Sequence, residues 1–324
     1  MKVKLWGVRG SLPAPKPPEV AKSRIKDVLK EFVGSPSYAK KDIEGYLKKL
    51  PIEKFGGFGG NTPCVEVTTS TTQVIIDGGT GIRRLGQSMM AGPCANGAGE
   101  LHVLFTHFHW DHLIGLPFFG PLFVKGNKIH VYAVQPDVER AFRTLFQKPF
   151  FPVPYENLGA QIIYHQLEPR APFKIGDIQI TPYALDHPDP CWGYKMENGG
   201  RVFSHCVDTE GIRVTRKDMG PDLPLYQGVD LLIFDAQYTL AEAIEKINWG
   251  HSAALVGIEI ALRESIKKLI FYHHDPSASD EKVADAATQT REYYDQRRKV
   301  AEMNNESLPQ VDWSFAEEET VMTV

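Results

Sequence analysis

The chain has 324 residues, of which 42% are hydrophobic and 23% charged, a composition that excludes an intrinsically disordered protein. The net charge is −4, and the absence of a long basic run argues against a general nucleic-acid or anionic-membrane binder. Four widely spaced cysteines without a CxxC pair argue against a disulfide scaffold and against a cysteine-based zinc site. Because no segment is apolar over the length of a membrane span or secretory signal, we expect a soluble, cytoplasmic protein without a membrane partner.

The first sixth of the chain divides into a strand and a basic helical segment. Residues 1–10 alternate between apolar and polar side chains like a half-buried strand. Residues 11–57 open with a proline-rich turn and continue with two lysine-rich helical patterns, near 19–33 and 38–49. Ten Lys and Arg face six Asp and Glu there, a net charge of +4. We interpret this segment as a helical pair inserted into a single domain that spans residues 1–324.

After the insert, strand-like segments recur as far as the C terminus, with helical patterns between them. The strand-like segments are 64–69, 73–77, 102–106, 128–134, 161–165, 177–185, 192–196, 202–207, 230–234, 268–272 and 319–324. The helical patterns lie near 81–89, 137–147, 238–247, 251–265 and 279–303. Hairpin-like strands mixed with helices predict a layered α/β fold in which helices cover the outer faces of sheets.

The most informative segment is LHVLFTHFHWDHLIG, residues 101–115. A buried-type strand runs there directly into four polar side chains: His107, His109, Asp111 and His112. In an extended backbone, residues i and i+2 project to the same side, so His107 and His109 can bind one metal ion together. Once the chain turns, Asp111 and His112 face a second position nearby. Imidazole and carboxylate ligands suit zinc, manganese, iron, cobalt or nickel.

An HxHxDH motif after an apolar strand resembles that of the metallo-β-lactamase superfamily. The resemblance covers about residues 1–10 and 58–324, and it implies an α/β (α+β) fold: a four-layer αββα sandwich with an N-terminal helical insertion. It also implies three later metal ligands after strands: His187 in YALDHP, Asp208 in VFSHCVDTE and His273 in KKLIFYHHD. We prefer His273 to His274 because it directly follows the strand.

The resemblance further implies a site with two divalent metal ions, expected to be zinc, with manganese and iron as alternatives. One metal is then assigned to His107, His109 and His187, and the other to Asp111, His112 and His273, with Asp208 between them. Asp77, in VIIDGGTGIRRLG, is expected either to orient a ligand histidine or simply to begin a turn.

Two features resemble the ribonuclease Z branch and the compact phosphodiesterases near it. Asp235 in VDLLIFDAQYT and His251 in NWGHSAALVGIEIA are similar to a pair in which the histidine donates a proton to the leaving oxygen and the carboxylate holds it. Only twenty residues separate His187 from Asp208, too few for the tRNA-binding arm of the long forms. Without room for that arm, the chain resembles the compact phosphoribosyl cyclic phosphate phosphodiesterase family. It departs from that family in lacking an N-terminal cysteine cluster and in carrying the extra insert.

The sequence therefore predicts a metal-dependent hydrolase of cyclic or small linear phosphodiesters. Hydroxide bridging the two metals is expected to attack phosphorus, with His251, held by Asp235, as proton donor and Asp111 bonded to the hydroxide. Arg83, Arg84 and lysines of the insert are candidates to neutralise the phosphate. The alternatives are hydrolysis of a lactone, thioester or β-lactam, tRNA 3′-processing, and a non-catalytic metal-binding scaffold.

Three expectations concern partners and surfaces. The substrate is expected to be a small diester rather than a long tRNA, and the resemblance points to a homodimer. The insert, residues 11–57, is interpreted either as a basic lid over the metal cleft or as a solvated helical pair or dimer contact. The apolar segment 116–124 is either an interface or core.

Overall fold

Fourteen β-strands form two mixed seven-stranded sheets in the computed structural model, which describes residues 1–324. The strands are β1 (Lys2–Gly7), β2 (Cys64–Thr68), β3 (Gln73–Ile76), β4 (Glu100–Phe105), β5 (Lys128–Ala133), β6 (Gln161–Gln166), β7 (Phe173–Ile175), β8 (Ile178–Ala184), β9 (Trp192–Asn198), β10 (Arg201–Cys206), β11 (Leu231–Asp235), β12 (Lys268–Tyr272), β13 (Asp312–Phe315) and β14 (Val321–Thr323). The first sheet has the order β14-β1-β2-β3-β4-β5-β6, and the second has the order β13-β12-β11-β10-β9-β8-β7.

Helices cover the outer face of each sheet. The α-helices of the chain are α1 (Pro18–Val33), α2 (Pro36–Ala39), α3 (Ile43–Leu47), α4 (Ile82–Met89), α5 (Trp110–Leu113), α6 (Val138–Leu145), α7 (Arg216–Met219), α8 (Leu240–Glu245), α9 (Ala254–Glu264) and α10 (Asp280–Met303). Buried residues of α4 and α6 pack on the first sheet, and those of α9 and α10 pack on the second. This arrangement confirms the expected αββα sandwich. No helix combines the length and the apolar character needed to cross a membrane.

The core between the sheets follows from the period of two along each strand. On β4, Leu104 belongs to the cluster between the sheets, whereas Val103 and Phe105 pack beneath the outer helices. Ile180 on β8 and Ile233 on β11 enter the same central cluster from the second sheet. Because successive side chains of a strand point to opposite faces, apolar runs such as VLF bury residues on both sides.

Parallel strands bring the segments with the predicted site residues to one edge of the sandwich. In the first sheet β3, β4 and β5 are parallel neighbours, and in the second β10, β11 and β12 are parallel and in register. The carboxyl ends of parallel neighbours lie at the same edge of a sheet. The HxHxDH segment follows β4, and the segments with the later predicted ligands follow β8, β10 and β12.

The structure differs from the sequence prediction in several short elements. The helix expected near 38–49 is two helices, α2 and α3, because the chain turns at Lys41 (φ 54°) and Asp42 begins a new helix by accepting a hydrogen bond from Gly45 N at 2.8 Å. Aspartate favours this N-cap position over a helix interior. The edge strands β7 and β13 were not predicted, since three or four residues are too few for an alternating pattern to stand out.

The insert is attached to the first turn of α10 through one buried carboxylate. Asp280 lies 3.0 Å from Lys16 Nζ and 2.8 Å from Arg24 Nη1, both in the insert. It also lies 3.1 Å from Arg9 Nη2 and accepts a hydrogen bond from Phe58 N at 3.0 Å. None of the residues of α1, α2 or α3 is buried. The insert is therefore held by ion pairs and by the packing of Ile52 on the core of the second sheet, and its helices form no core of their own.

The apolar segment 116–124 is mostly core. Leu116, Phe119 and Leu122 are buried in the cluster beneath the first sheet's helices. Phe118 and Phe123 are the exceptions, because 61% and 38% of their surfaces are exposed.

Candidate metal centre

The structure brings the seven residues predicted to bind metal together at one edge of the sandwich. Ligand atoms of the first group lie within 4.8 Å of one another: His107, His109, His187 and Asp208. The same holds for the second group: Asp111, His112, Asp208 and His273. Asp208 belongs to both groups. The two groups therefore adjoin and share one carboxylate.

Asp208 lies at the centre of this cluster. Its Oδ2 is 3.3 Å from His107 Nε2 and 3.2 Å from His112 Nε2, and its Oδ1 is 3.0 Å from His273 Nε2. Burial alone would raise the pKa of Asp208, but the neighbouring His273 and His112 hold that pKa well below its ordinary value. The carboxylate is therefore ionised and is in contact with residues of both groups.

Three polar residues of the site have left-handed backbones just after strands. Asp77 follows β3 with φ 63°, Asp208 follows β10 with φ 62°, and His273 follows β12 with φ 67°. Residues other than glycine rarely adopt this conformation, and each instance costs about 1–3 kcal/mol. Each of these three turns therefore carries backbone strain beside the cluster.

Asp77 orients one of the histidines and also occupies the turn after β3. Its Oδ2 is 2.8 Å from His112 Nδ1, and its Oδ1 accepts a hydrogen bond from Thr106 N at 2.9 Å. His112 Nε2 then faces Asp111 Oδ2 at 3.2 Å. A carboxylate on the far nitrogen fixes which nitrogen a histidine presents to a metal.

His273 and not His274 faces the cluster. His273 Nε2 lies 3.1 Å from Asp111 Oδ2, whereas His274 Nε2 lies 2.8 Å from the carbonyl oxygen of Ala316. Burial lowers the pKa of His274 to about 3, so this ring is a neutral core group.

The donor atoms of the cluster fit divalent cations. Several buried atoms have no hydrogen-bond partner: His107 Nε2, His112 Nε2, His187 Nε2 and Asp208 Oδ1. Unpaired buried polar atoms are rare, and bound cations would satisfy these. Burial lowers the pKa of His107 to about 4, which leaves its ring in the neutral form that binds metals. Imidazole and carboxylate donors suit zinc, manganese or iron.

His251 and Asp235 form a pair beside the cluster. His251 Nδ1 is 3.0 Å from Asp235 Oδ2, and Asp235 Oδ1 accepts a hydrogen bond from Ser252 N at 2.9 Å. The His251 ring stacks on His273 with centroids 4.9 Å apart. Burial lowers the pKa of His251, but the charge and hydrogen bond of Asp235, together with the charges of Asp208 and Asp111, outweigh burial and raise that pKa to about 9. The ring is therefore positively charged at neutral pH.

The sequence reasoning missed two groups that contact the cluster. Asp189 Oδ2 lies 2.9 Å from His109 Nε2, and Ser11 N donates a hydrogen bond to Asp111 Oδ2 at 2.8 Å. The position of Asp189, two residues after His187, was a usable signal. No sequence signal connects Ser11 with Asp111, because 100 residues separate them.

Several cations expected to contact phosphate are engaged elsewhere. Arg84 pairs with Glu319 at 3.0 Å, Lys16 pairs with Asp280 at 3.0 Å, and Lys54 pairs with Glu31 at 2.9 Å. These ion pairs lie outside the cluster of metal-binding groups.

Comparison with known proteins assigns the family. The family model described as "Beta-lactamase superfamily domain" matches residues 72–274, a range that contains all seven predicted ligands. The chain belongs to the metallo-β-lactamase superfamily. The metallo-β-lactamase fold implies divalent metal ions, and the His/Asp cluster of this chain is suited to hold them.

The relatives place this metallo-β-lactamase superfamily member in the ribonuclease Z-like branch. Ribonuclease Z of Archaeoglobus fulgidus is 25% identical over 262 residues, which cover 66% of this chain and 81% of that protein. The metallo-beta-lactamase fold protein YhfI from Bacillus subtilis superposes with a TM-score of 0.60 at 15% identity, covering 99% of this chain and 98% of that one. A diphosphatase from the PhnP family superposes with a TM-score of 0.56 at 16% identity, covering 100% and 97%. At these identities the two structures show the shared fold.

Proposed function

We propose that this superfamily member hydrolyses phosphodiesters with two divalent metal ions, which we take to be zinc, with manganese and iron as alternatives. His107, His109 and His187 would hold one ion, Asp111, His112 and His273 the other, and Asp208 would contact both. The observation that carries the proposal is the His251–Asp235 pair, whose bond of 3.0 Å lies beside this cluster. A metal site alone suits many hydrolyses, whereas a held, charged imidazole suits a leaving group that must be protonated.

The ions, when bound, supply Lewis acidity and lower the pKa of coordinated water towards neutrality. The chain provides the positions of the groups around them. Asp208 is buried and ionised between the two donor groups. Asp111 is held by the backbone N–H of Ser11 on the same oxygen that faces His273. These contacts hold the carboxylates in place before substrate binds.

His251 is placed to act as the general acid. Its Nδ1 is bonded to Asp235, so the proton on Nε2 remains for the oxygen that leaves phosphorus. An alkoxide is a poor leaving group and needs this proton, whereas a thiolate from a thioester does not. The pair therefore favours a phosphodiester over the thioester alternative.

The connection between His187 and Asp208 favours a small diester over tRNA. The chain forms there the antiparallel hairpin of β9 and β10, which turns at Gly199 and Gly200. The hairpin belongs to the second sheet and leaves no projecting arm between these residues. The kinship with ribonuclease Z keeps tRNA 3′-processing as the second candidate, and an assay with a precursor tRNA tests it directly.

The leaving-group dependence of a His251→Ala variant tests the proposal. We expect the variant to lose far more activity on an alkyl diester than on bis(p-nitrophenyl) phosphate, because nitrophenolate departs without a proton. Asp235→Asn should also lower the rate on the alkyl diester more than the rate on bis(p-nitrophenyl) phosphate, but by a smaller factor. Nitrocefin and an acyl thioester serve as controls for the other reaction classes. Equal losses on both diesters would remove the proton-donor role.

A further inference from the structure

The proposed ligand His273 has one ring nitrogen that faces the cluster and one that has no hydrogen bond. Its Nε2 lies 3.0 Å from Asp208 Oδ1 and 3.1 Å from Asp111 Oδ2, whereas its Nδ1 is buried and has no partner. A histidine that binds a metal through Nε2 carries its proton on Nδ1 and usually donates that proton to an acceptor that fixes the ring. Asp77 is in that position for His112, at 2.8 Å from its Nδ1. His273 needs an acceptor of its own.

The neighbouring carboxylate of Asp235 does not fill this role. Its Oδ2 lies 3.0 Å from His251 Nδ1 and accepts a hydrogen bond from Asp208 N at 3.2 Å. The same oxygen lies 3.7 Å from His273 Nδ1, which is too long for a hydrogen bond. Asp235 therefore serves His251 and leaves the Nδ1 of His273 unpaired.

The side-chain oxygen of Gln237 lies beside this unpaired nitrogen. Gln237 is only 8% exposed, and its Oε1 is buried without a hydrogen-bond partner. A Cβ atom at Gly10 would clash with both Gln237 Oε1 and His273 Nδ1, so the two atoms share the space that this glycine leaves open. An amide oxygen can only accept a hydrogen bond, and unpaired buried polar atoms are rare. The two unpaired atoms are therefore complementary neighbours.

The amide nitrogen of Gln237 connects the same side chain to the loop that holds Asp111. Its Nε2 donates to Tyr238 Oη at 3.2 Å and to Ser11 Oγ at 3.4 Å. The backbone N–H of Ser11 in turn donates to Asp111 Oδ2 at 2.8 Å, the oxygen that also faces His273. The amide of Gln237 thus reaches the surroundings of two proposed ligands of the same metal ion.

We propose that Gln237 is a positioning residue of the metal centre, whose Oε1 accepts the Nδ1 proton of His273 while its Nε2 holds Ser11. The amide fixes the His273 ring with Nε2 turned towards the metal position assigned to Asp111, His112 and His273. The inference rests on the proposed metal-dependent function and adds a residue that determines the affinity for one of the two ions.

Zinc affinity tests this role, measured by titrating the metal-free protein in competition with a chromophoric chelator. We expect Gln237→Leu to weaken one of the two zinc ions about ten- to a hundredfold, the effect of losing a group that orients a metal ligand, and to leave the other unchanged. Gln237→Glu should restore most of the affinity, because a carboxylate oxygen also accepts the His273 proton. Gln237→Asn keeps an amide that is too short to reach His273, so it should weaken the same ion and tests the role even if Gln237→Leu does not fold.

Gln135→Leu is the matched control. Gln135 also has a buried Oε1 without a hydrogen-bond partner, but it lines a pocket to which no proposed metal ligand contributes. This variant should keep both zinc affinities of the parent protein.

The outcomes separate this inference from the proposed function. Equal zinc affinities in the parent and in the Leu and Asn variants of Gln237, or an equal weakening of both ions, would overturn the positioning role and leave the phosphodiesterase proposal standing. Selective weakening of one ion in a protein that hydrolyses no phosphodiester would uphold the positioning role and refute the proposed function. A parent protein that binds no zinc, manganese or iron would refute both.

Discussion

His205 is a buried titratable residue whose ring forms no hydrogen bond. It lies on β10, three residues before Asp208, is fully buried, and neither ring nitrogen has a hydrogen-bond partner. Burial lowers its pKa to about 4, and the charges of Asp77 and Asp208 raise it by less. The folded protein therefore holds a neutral, unpaired imidazole close to its metal centre, a feature that costs free energy of folding.

We predict that His205→Leu stabilises the protein, and more so in acid. The folded pKa of about 4 lies below the unfolded value of about 6.5, so the unfolded chain binds the proton first. The parent has its full stability above about pH 6.5 and loses about 2 kcal/mol by pH 5 through this residue. The variant should lack that loss. Urea unfolding of the parent and the variant at pH 7.5 and pH 5 measures the gain in stability at neutral pH and the larger gain in acid.

His205→Gln is the control for this prediction. This variant removes the titrating ring but keeps a buried polar group. It should therefore abolish the loss of stability in acid without raising the stability at neutral pH. A pH dependence in His205→Leu equal to that of the parent would show that the ring does not titrate as stated.

The adjacent histidines His273 and His274 provide a matched test of the metal ligands. We predict that His273→Ala lowers the metal content of the purified protein from two ions per chain to about one, because one cation position loses an imidazole. His274→Gln should keep both ions, since Gln can still donate to the Ala316 carbonyl that His274 Nε2 contacts. Elemental analysis after dialysis measures the content. Equal metal loss in both variants would contradict the assignment.

At the scale of elements, the first turn of α10 connects three other parts of the chain. Asp280 and Arg9 are only 4% and 3% exposed, and the guanidinium of Arg9 also donates to the carbonyl oxygens of Gly59, Asp275 and Ala278. This network joins the end of β1, the end of the insert and the segment after His273. It thereby positions the loop whose Ser11 N–H contacts Asp111.

We predict that Asp280→Ala destabilises the protein by about 3 kcal/mol, because it leaves a buried guanidinium without its carboxylate. Glu281→Ala is the matched control. Glu281 pairs with Arg24 at 2.9 Å but its side chain is 61% exposed, so its loss should cost less than about 1 kcal/mol. Denaturant unfolding of both variants provides the comparison. Similar losses in the two would show that Asp280 acts as a surface ion pair.

At the scale of the whole molecule, the helical insert is the feature added to the superfamily sandwich. The helices of the insert contain no buried residue. Ser11, at the start of the insert, donates a backbone hydrogen bond to the proposed ligand Asp111. The lid interpretation stays a prediction, as do the homodimer and the cytoplasmic location. The segment carries ten basic and six acidic residues, so its net charge attracts an anionic substrate if it lies over the cleft.

We predict that replacing residues 18–54 by a short Gly-Ser linker, which keeps Ser11 and Lys16, raises the KM of bulky phosphodiesters. The rise should shrink at high ionic strength, because it reflects lost electrostatic attraction. The kcat for bis(p-nitrophenyl) phosphate should change little, since no removed residue belongs to the cluster. Unchanged KM for every diester would leave the insert as a solvated helical pair or a dimer contact.

Much of the site could be predicted because its residues follow strands with strong apolar patterns. The HxHxDH segment and the residues after β10 and β12 stand at strand ends, where a superfamily ligand is expected. The short elements β7, β13 and α5 were missed, since a few residues carry too little pattern. The helix break at Asp42 was missed because its capping bond depends on the local backbone turn.

By itself, the sequence determined the layered α/β class, because periodicity encodes this property. The proposed order of the ligands along the chain and the pairing of Asp235 with His251 followed from the resemblance to the superfamily. The tertiary structure alone decided which groups meet across long separations. It showed that Ser11 contacts Asp111, that Asp189 contacts His109, and that Gln237 contacts Ser11. Such contacts depend on how sheets and loops pack, and no local pattern records that packing.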